Sequence, residues 1–355
     1  MRRALIVIVV MVIGVCAGCA GGPEGPAEST TPSAAQFAWS SATLSVNTIG
    51  LDDPNARPDA ELDFAAAQGF SAVRIPVRWS SVEPVEGKLD FSALDPVIRG
   101  AAARGLEVLG VVTWAPAWAV APEYRTVTHP APESAARFAE FARVAAFRYR
   151  SQVSAWEVWN EPNIAASFGP IPDVSKYCAI LRQSYTAIKA ANPSATVLTG
   201  GTSPTRDSPT GVAPANYINA LYKCAPRSFD ALAMHPYSTP NLLSRPSSTN
   251  PSSRDVALVR EVMKLNGDTR RKVWFTEFGA PTTQFSPTGV SEEKQKQILV
   301  DGVSLLKQLS YAGPVFVFNL RDIETGSRIP DYNYGLARTD FTLKPSLKAV
   351  IGLYN

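Results

Sequence analysis

Ala155-Trp156-Glu157-Val158-Trp159-Asn160-Glu161-Pro162-Asn163 is an apolar run that ends on a carboxylate followed by proline. Lys272-Val273-Trp274-Phe275-Thr276-Glu277-Phe278-Gly279 repeats the plan, with glycine as the stop. Each reads as a short buried strand, rich in β-branched and aromatic residues and broken by Pro or Gly. Each ends on a glutamate, Glu161 or Glu277, at the strand terminus where barrel folds carry their chemistry. Six more runs of this kind are Thr43–Ile49, Ala72–Trp79, Leu106–Thr113, Thr196–Gly200, Ala231–His235 and Val315–Asn319. Ala-rich helical patterns lie between the strands, for example Ser134–Tyr149, Tyr177–Ala191 and Glu292–Leu309. Eight alternating units over about 310 residues predict the α/β class and a single (β/α)8 TIM barrel. The alternative, a doubly wound open sheet, calls for a Gly-rich phosphate loop after the first strand, and none follows. No internal repeat or second domain is evident, so the folded domain is assigned to residues 37–355.

With 45% hydrophobic residues in 355, the chain can bury a large core. A net charge of +3 without a Lys/Arg-rich block argues against a nucleic-acid partner. The two histidines and four cysteines form no cluster with metal-ligand spacing, so no metal or other cofactor is expected. The expected state is a monomer.

Arg2 and Arg3 precede the apolar run Ala4 to Val15, and small residues follow, the pattern of an export signal. Cys16-Ala17-Gly18-Cys19 resembles a bacterial lipoprotein cleavage box, with Cys16 where Leu is usual. Residues 1–19 are therefore read as a lipoprotein-type signal peptide, with Cys19 as the lipidated residue. An uncleaved signal anchor and an unlipidated secreted product are the rival readings, and all three put the domain outside the cytoplasm. Residues 20–36, rich in Gly, Pro, Ser and Thr, are read as a disordered tether. Cys178 and Cys224 would suit a disulfide in an oxidising compartment. However, one sits near the start of a helix and the other near the end of the next, and parallel helices would hold them beyond bridging distance.

The motifs carry a family resemblance. Trp159-Asn160-Glu161-Pro162-Asn163 after strand four and Thr276-Glu277-Phe278-Gly279 after strand seven resemble the paired motifs of retaining glycoside hydrolases of the 4/7 barrel clan. His235-Pro236-Tyr237 after strand six is similar to the same clan, as are Val73 to Trp79 on strand two and Ser80-Ser81-Val82-Glu83-Pro84 beyond it. Thr113-Trp114-Ala115-Pro116-Ala117-Trp118, and the tail from Tyr334-Gly335-Leu336 through Lys344-Pro345, look most like glycoside hydrolase family 39, with family 5 as a neighbour. The resemblance spans residues 43 to 352.

It implies that Glu161 is the general acid/base and Glu277 the nucleophile of a double displacement with retention, the two carboxyls about 5–5.5 Å apart. The acid must hold its proton at working pH, a state favoured by burial and by a second carboxylate nearby. The nucleophile needs donors, and Tyr237, Arg74 and His235 are the candidates. Asn160 is placed to bond the sugar 2-hydroxyl. Arg74 is also the expected partner of Glu157, which should point into the barrel. Trp114 and Trp118 follow strand three on the catalytic face and are candidate sugar platforms, with Phe168 and Tyr332 behind them. Phe316 and Phe318 stand on strand eight where clan members often carry Trp. His129 and Glu83 read as structural groups. The stretch from Ser238 to Ser253 is expected to border the site. The expected partner is an extracellular or cell-wall poly- or oligosaccharide, with the membrane reached through the lipid or signal anchor. A transglycosylase on the same site and a non-catalytic glycan-binding lipoprotein are the alternatives.

Overall fold

The computed structural model describes residues 37–48, 56–245 and 252–355. Residues 1–36, which include the stretches read as signal peptide and tether and Cys19, fall outside them. Among the described residues no helix is long and apolar enough to cross a membrane.

Eight strands alternate with helices. The strands are β1 (Leu44–Asn47), β2 (Ala72–Arg78), β3 (Glu107–Thr113), β4 (Val153–Val158), β5 (Thr196–Thr199), β6 (Leu232–Met234), β7 (Val273–Phe278) and β8 (Ala312–Val317). The helices are α1 (Pro58–Ala67), one-turn α2 (Trp79–Val82), α3 (Leu94–Ala103), α4 (Ala135–Arg148), α5 (Val174–Ala191), α6 (Pro214–Cys224), α7 (Ser252–Leu265), α8 (Glu292–Lys307) and α9 (Pro345–Ile351). Local chemistry starts several of them. Ser134, Asp173 and Ser291 cap α4, α5 and α8 by accepting backbone N–H bonds from Arg137, Lys176 and Lys294. Proline opens α1, α6 and α9, where its missing N–H costs nothing.

All strand pairs are parallel, in the order β5-β4-β3-β2-β1-β8-β7-β6. Two further parallel bridges, Leu198 to Ala231 and Thr202 to Met234, draw the β5 and β6 edges together. The result is the TIM barrel that the alternation predicts.

Side chains of alternate strand residues fill the interior. Its lower part is apolar: Leu109, Ala155, Leu198, Ala233, Trp274 and Phe316 form one buried cluster. Trp39 closes it from below, its ring 5.0 Å from Trp274 and 6.0 Å from Phe316. The Trp39 indole N–H donates to Ser154 Oγ at 3.0 Å, near the N-terminal end of β4. The upper part is polar and holds Asn47, Arg74, Glu157, His235 and Thr276, all buried. Outward-facing strand residues such as Val73, Ile75, Val112 and Trp156 pack in the main core with Phe138, Phe141, Ile180 and Leu181 of α4 and α5.

Cys178 and Cys224 form a disulfide, with Cα atoms 6.1 Å apart. The parallel-helix argument against it fails because α6 ends early. Arg182, in the third turn of α5, already donates to Cys224 O at 2.9 Å. The chain then descends along α5 outside any helix, where Asp230 accepts from Tyr185 and pairs with Lys189.

Candidate active site

The polar layer is built around Arg74, whose side chain is 5% exposed. Its Nε donates to Glu157 Oε2 at 2.8 Å, Nη1 to Asn47 Oδ1 at 2.9 Å and to Glu277 Oε1 at 2.6 Å, and Nη2 to Asn160 Oδ1 at 2.9 Å. One guanidinium thus serves two carboxylates and two amides, a geometry its planar fork permits and an ammonium does not. Burial opposes its charge, but Glu157 and Glu277 outweigh that and raise its pKa. Glu157 is wholly buried. Burial alone would raise its carboxyl, yet Arg74 and His235 bring it down to about 2.

Glu277 reaches this layer through a backbone irregularity. On β7, Trp274 and Thr276 share the inward face, so strict alternation would turn Glu277 outward. The β7–β8 register slips: Phe275 pairs with Val315 and Phe278 with Val317, three steps against two. The extra residue is a bulge, the device that re-aims a side chain at a strand end. Thr276 and Glu277 consequently both face the site. Tyr237 donates its phenol to Glu277 Oε2 at 2.8 Å, so each carboxylate oxygen holds a donor. Burial and the Glu277 charge push the Tyr237 phenol well above its ordinary pKa, so it remains a donor.

Glu161 is turned inward by the backbone beyond β4. Trp159 and Glu161 both adopt left-handed conformations, φ +71° and +48°. Such residues persist only where their surroundings hold them. Here Trp159 N donates to Val112 O at 2.8 Å and Glu161 N to Gly201 O at 3.0 Å. Gly201 N in turn donates to Glu157 Oε1 at 2.8 Å. A Cβ at Gly201 would lie 2.1 Å from His235 Nε2, so only glycine fits this close approach.

His235 joins the two glutamates. Its Nδ1 lies 3.0 Å from Glu161 Oε1 and 3.6 Å from Glu277 Oε2, and its Nε2 3.0 Å from Thr276 Oγ1. Thr276 Oγ1 donates onward to Glu157 Oε1 at 3.2 Å. Burial pulls the imidazole down, but the carboxylates of Glu277, Glu157 and Glu161 more than offset it, pushing it up to about 9. Ser167 Oγ donates to the other Glu161 oxygen at 3.4 Å. One oxygen each of Glu161 and Glu277 and a ring nitrogen of His235 all lie within 4.8 Å of one another. These are donor atoms that a cation could in principle share. In this structure the charge at Glu277 is met by Arg74.

The structure brings Glu161, Glu277, Asn160, His235, Tyr237 and Arg74 together. With its Oδ1 taken by Arg74, Asn160 has amide N–H groups without a protein partner among the described residues. Trp114 stacks on His129 with centroids 3.7 Å apart and meets Trp159 edge-on. It therefore stands on the wall beside the acid motif. Trp118 stands elsewhere: its indole N–H donates to Glu83 O at 2.8 Å and its ring packs edge-on to Trp79. Glu83 anchors that loop by accepting from Trp79 Nε1 and Gly87 N, both at 2.7 Å. Phe168 is 0% exposed, sandwiched between Trp159 and Tyr177, and has no face for a sugar. Phe316 lies in the barrel floor, whereas half-buried Phe318 packs edge-on to Tyr237 and Tyr334 beside the site. Of the stretch from Ser238 to Ser253, residues 246–251 lie outside the description. Thr239 Oγ1 ties its start to Thr288 O at 2.7 Å. Asn47, Gly201 and Ser167 escaped the sequence reading, and Thr276 was read only as part of the Glu277 motif. Their signal was position alone: the end of strand one, the glycines after strand five and the loop after strand four.

No curated protein matches this chain. Among solved structures, a family 39 glycoside hydrolase from Bacteroides cellulosilyticus WH2 superposes with a TM-score of 0.69 at 21% identity, covering 88% of this chain and 64% of that one. The chain thus spans less than two thirds of that relative's length. A GH5_18 protein from Streptomyces cattleya, in complex with GlcNAc, gives 0.67 at 20% identity over 89% of this chain and 80% of its own. The family 39 enzyme from Xanthomonas axonopodis pv. citri gives 0.67 at 19% identity over 88% and 66%. At such identities these likenesses establish the barrel alone. The family itself comes from the sequence: residues 39–314 match the cellulase (glycosyl hydrolase family 5) family. This is the neighbour of the family that the motifs most resemble, and on that match the chain belongs to glycosyl hydrolase family 5.

Proposed function

We propose that this domain hydrolyses O-glycosidic bonds of an exported poly- or oligosaccharide by double displacement, with Glu277 as nucleophile and Glu161 as acid/base. The observation that carries this reading is the closeness of the two carboxylates, with oxygens within 4.8 Å of each other. Inverting enzymes hold their carboxyls about 6.5–9.5 Å apart to admit a water between them.

The surroundings distinguish the roles. Glu277 accepts one charge-assisted bond from Arg74 and one bond from Tyr237, which suits a group that attacks as a carboxylate and later departs as one. Glu161 faces a basic imidazole across 3.0 Å, so a proton lies within reach of its oxygen. In the first step Glu277 bonds to the anomeric carbon while Glu161 gives its proton to the departing glycosidic oxygen. In the second, Glu161 takes a proton from water, the hydroxyl attacks the same carbon, and the bond to Glu277 breaks. The free Asn160 N–H groups would hold the ring's 2-hydroxyl through both steps.

A β-linked glycan is the favoured substrate. The Streptomyces cattleya relative has also been captured with Manb1-4GlcNAc. The export signal read in residues 1–19, with Cys19 as the lipid anchor, supports a substrate in the cell envelope. The test is a screen of purified wall and plant glycans with wild type, Glu161→Gln and Glu277→Gln. Cleavage of one glycan by wild type, lost in both variants, supports the reading. Cleavage retained in either variant refutes the assignment of roles.

A further inference from the structure

The buried carboxylate of Glu157 sets the direction of a hydrogen-bond chain. Its Oε2 accepts from Arg74 Nε and its Oε1 from Gly201 N, both at 2.8 Å. A charged carboxylate only accepts, so the Thr276 hydroxyl, 3.2 Å from Oε1, points its hydrogen there. The lone pairs of that oxygen then face His235 Nε2 at 3.0 Å, and Nε2 must carry a hydrogen. Thr276 has little freedom to do otherwise. It is buried, its branched Cβ restricts χ1, and even a Cβ on Gly201 would stand 2.8 Å from its hydroxyl oxygen.

With Nε2 committed, the ring gains or loses a proton only at Nδ1. That nitrogen lies 3.0 Å from Glu161 Oε1 and 3.6 Å from Glu277 Oε2. Among the described residues, the other titratable groups against the ring are Glu157, 3.8 Å from Nε2, and Tyr237, whose ring centroid is 6.4 Å away. Arg74 pairs with both Glu157 and Glu277. We infer that Thr276 is a positioning residue of this site: it fixes the Nε2 hydrogen of His235 and so makes Nδ1 the nitrogen that shares a proton with Glu161. The inference rests on the glycosidase reading. Glu161 and Nδ1 then hold one proton between them, as a carboxylic acid beside a bare nitrogen or as a carboxylate beside an imidazolium. The pair gives that proton to the leaving oxygen in the first step and recovers one from water in the second. The carboxylates that make the imidazole basic keep the pair loaded at neutral pH.

The chain has two histidines, His129 and His235, so nuclear magnetic resonance of the full chain, isotope-labelled at histidine nitrogen alone, shows two rings, and His129→Gln assigns them. In wild type, His235 is expected to keep its Nε2 hydrogen throughout and to lose the Nδ1 hydrogen near pH 9. Thr276→Val keeps the shape and removes the hydroxyl. Its imidazolium lacks the Nε2 acceptor, so the midpoint should fall by about 1–2 in pH, the range of one hydrogen bond to a charged group. The neutral ring should then carry its hydrogen on Nδ1, and Thr276→Ser should restore the wild-type behaviour. Rates are read on phenyl β-glycosides of glucose, mannose, galactose and xylose, whose phenol departs with a proton's help. On the glycoside that is cleaved, the alkaline limb of kcat/KM should move down with the midpoint in Thr276→Val, a loss of about 5- to 50-fold at pH 9, and return in Thr276→Ser. A wild-type ring that loses its hydrogen from Nε2, or a Thr276→Val midpoint equal to wild type, overturns the inference. A midpoint that moves while the alkaline limb stays overturns it too, since Thr276 would then hold the ring without positioning the acid. Glu161→Gln and Glu277→Gln, run alongside, decide the hydrolase reading: turnover retained in them removes it, whereas the ring signals report on Thr276 in either case.

Discussion

Replacing Arg74 by lysine keeps the charge and removes the fork. The guanidinium meets four acceptors at 2.6–2.9 Å: Glu157, Asn47, Glu277 and Asn160. A lysine ammonium has three donors and no second arm, so it can settle on Glu157 while Glu277 Oε1 and Asn160 Oδ1 go unserved. A hydrogen bond to a charged group is worth about 1.5–3 kcal/mol and a neutral one about 1 kcal/mol, so these two losses total about 2.5–4 kcal/mol. Of this, the part felt at Glu277 acts on catalysis, because that carboxylate is no longer aimed. We expect kcat to fall by about 10² on the glycan identified by the screen. Stability should fall by about 1–2 kcal/mol, or roughly 1.5–3 °C in melting temperature for a domain of this size. Arg74→Met leaves Glu157 charged and buried without its main partner, a change costing about 3–5 kcal/mol, and should fold poorly. The assay is initial rates together with calorimetric melting. A kcat within threefold of wild type in Arg74→Lys, at any melting temperature, would refute the claim that Arg74 positions the nucleophile.

The remaining predictions concern stability. His235, raised to about 9 in the folded chain from an ordinary 6.5, contributes stability that is fully present below pH 6.5 and lost as pH rises through 9. The difference in urea stability between wild type and His235→Gln should therefore shrink by about 3 kcal/mol between pH 6 and pH 10, and a difference that does not vary with pH would contradict the charged imidazole. The Cys178–Cys224 bridge spans 46 residues. Its removal in Cys178→Ser/Cys224→Ser is expected to cost up to about 4 kcal/mol by loop-closure entropy. A double variant that melts with wild type under oxidising conditions would show that the bridge does not form in solution.

The barrel was legible because its strands are nearly continuous apolar runs of set length, and the interval between them leaves room for one helix each. The two glutamates and their immediate partners were legible because they sit at or just beyond strand ends. What could not be read depended on exceptions to periodicity. Strict alternation on β7 turns Glu277 away from the axis, and the bulge that corrects it leaves no mark in the residues Thr276-Glu277-Phe278. The left-handed turns at Trp159 and Glu161 fall on residue types with no preference for that conformation. Phe168 and Trp118 looked like sugar platforms because an aromatic beside a catalytic motif reads the same whether it faces the cleft or backs the wall. The Cys178–Cys224 contact depended on where α6 stops, and helix ends are the least certain part of any sequence reading.

Trp39 plugs the barrel floor, so the polypeptide enters the domain at the pole opposite Glu161 and Glu277. Strands of six or seven residues put roughly 20 Å of packed sheet between the two poles. A change at Trp39 or at Ser154 therefore disturbs the barrel floor about a strand's length from Glu161 and Glu277, so stability lost there and activity lost at the glutamates are separable by position.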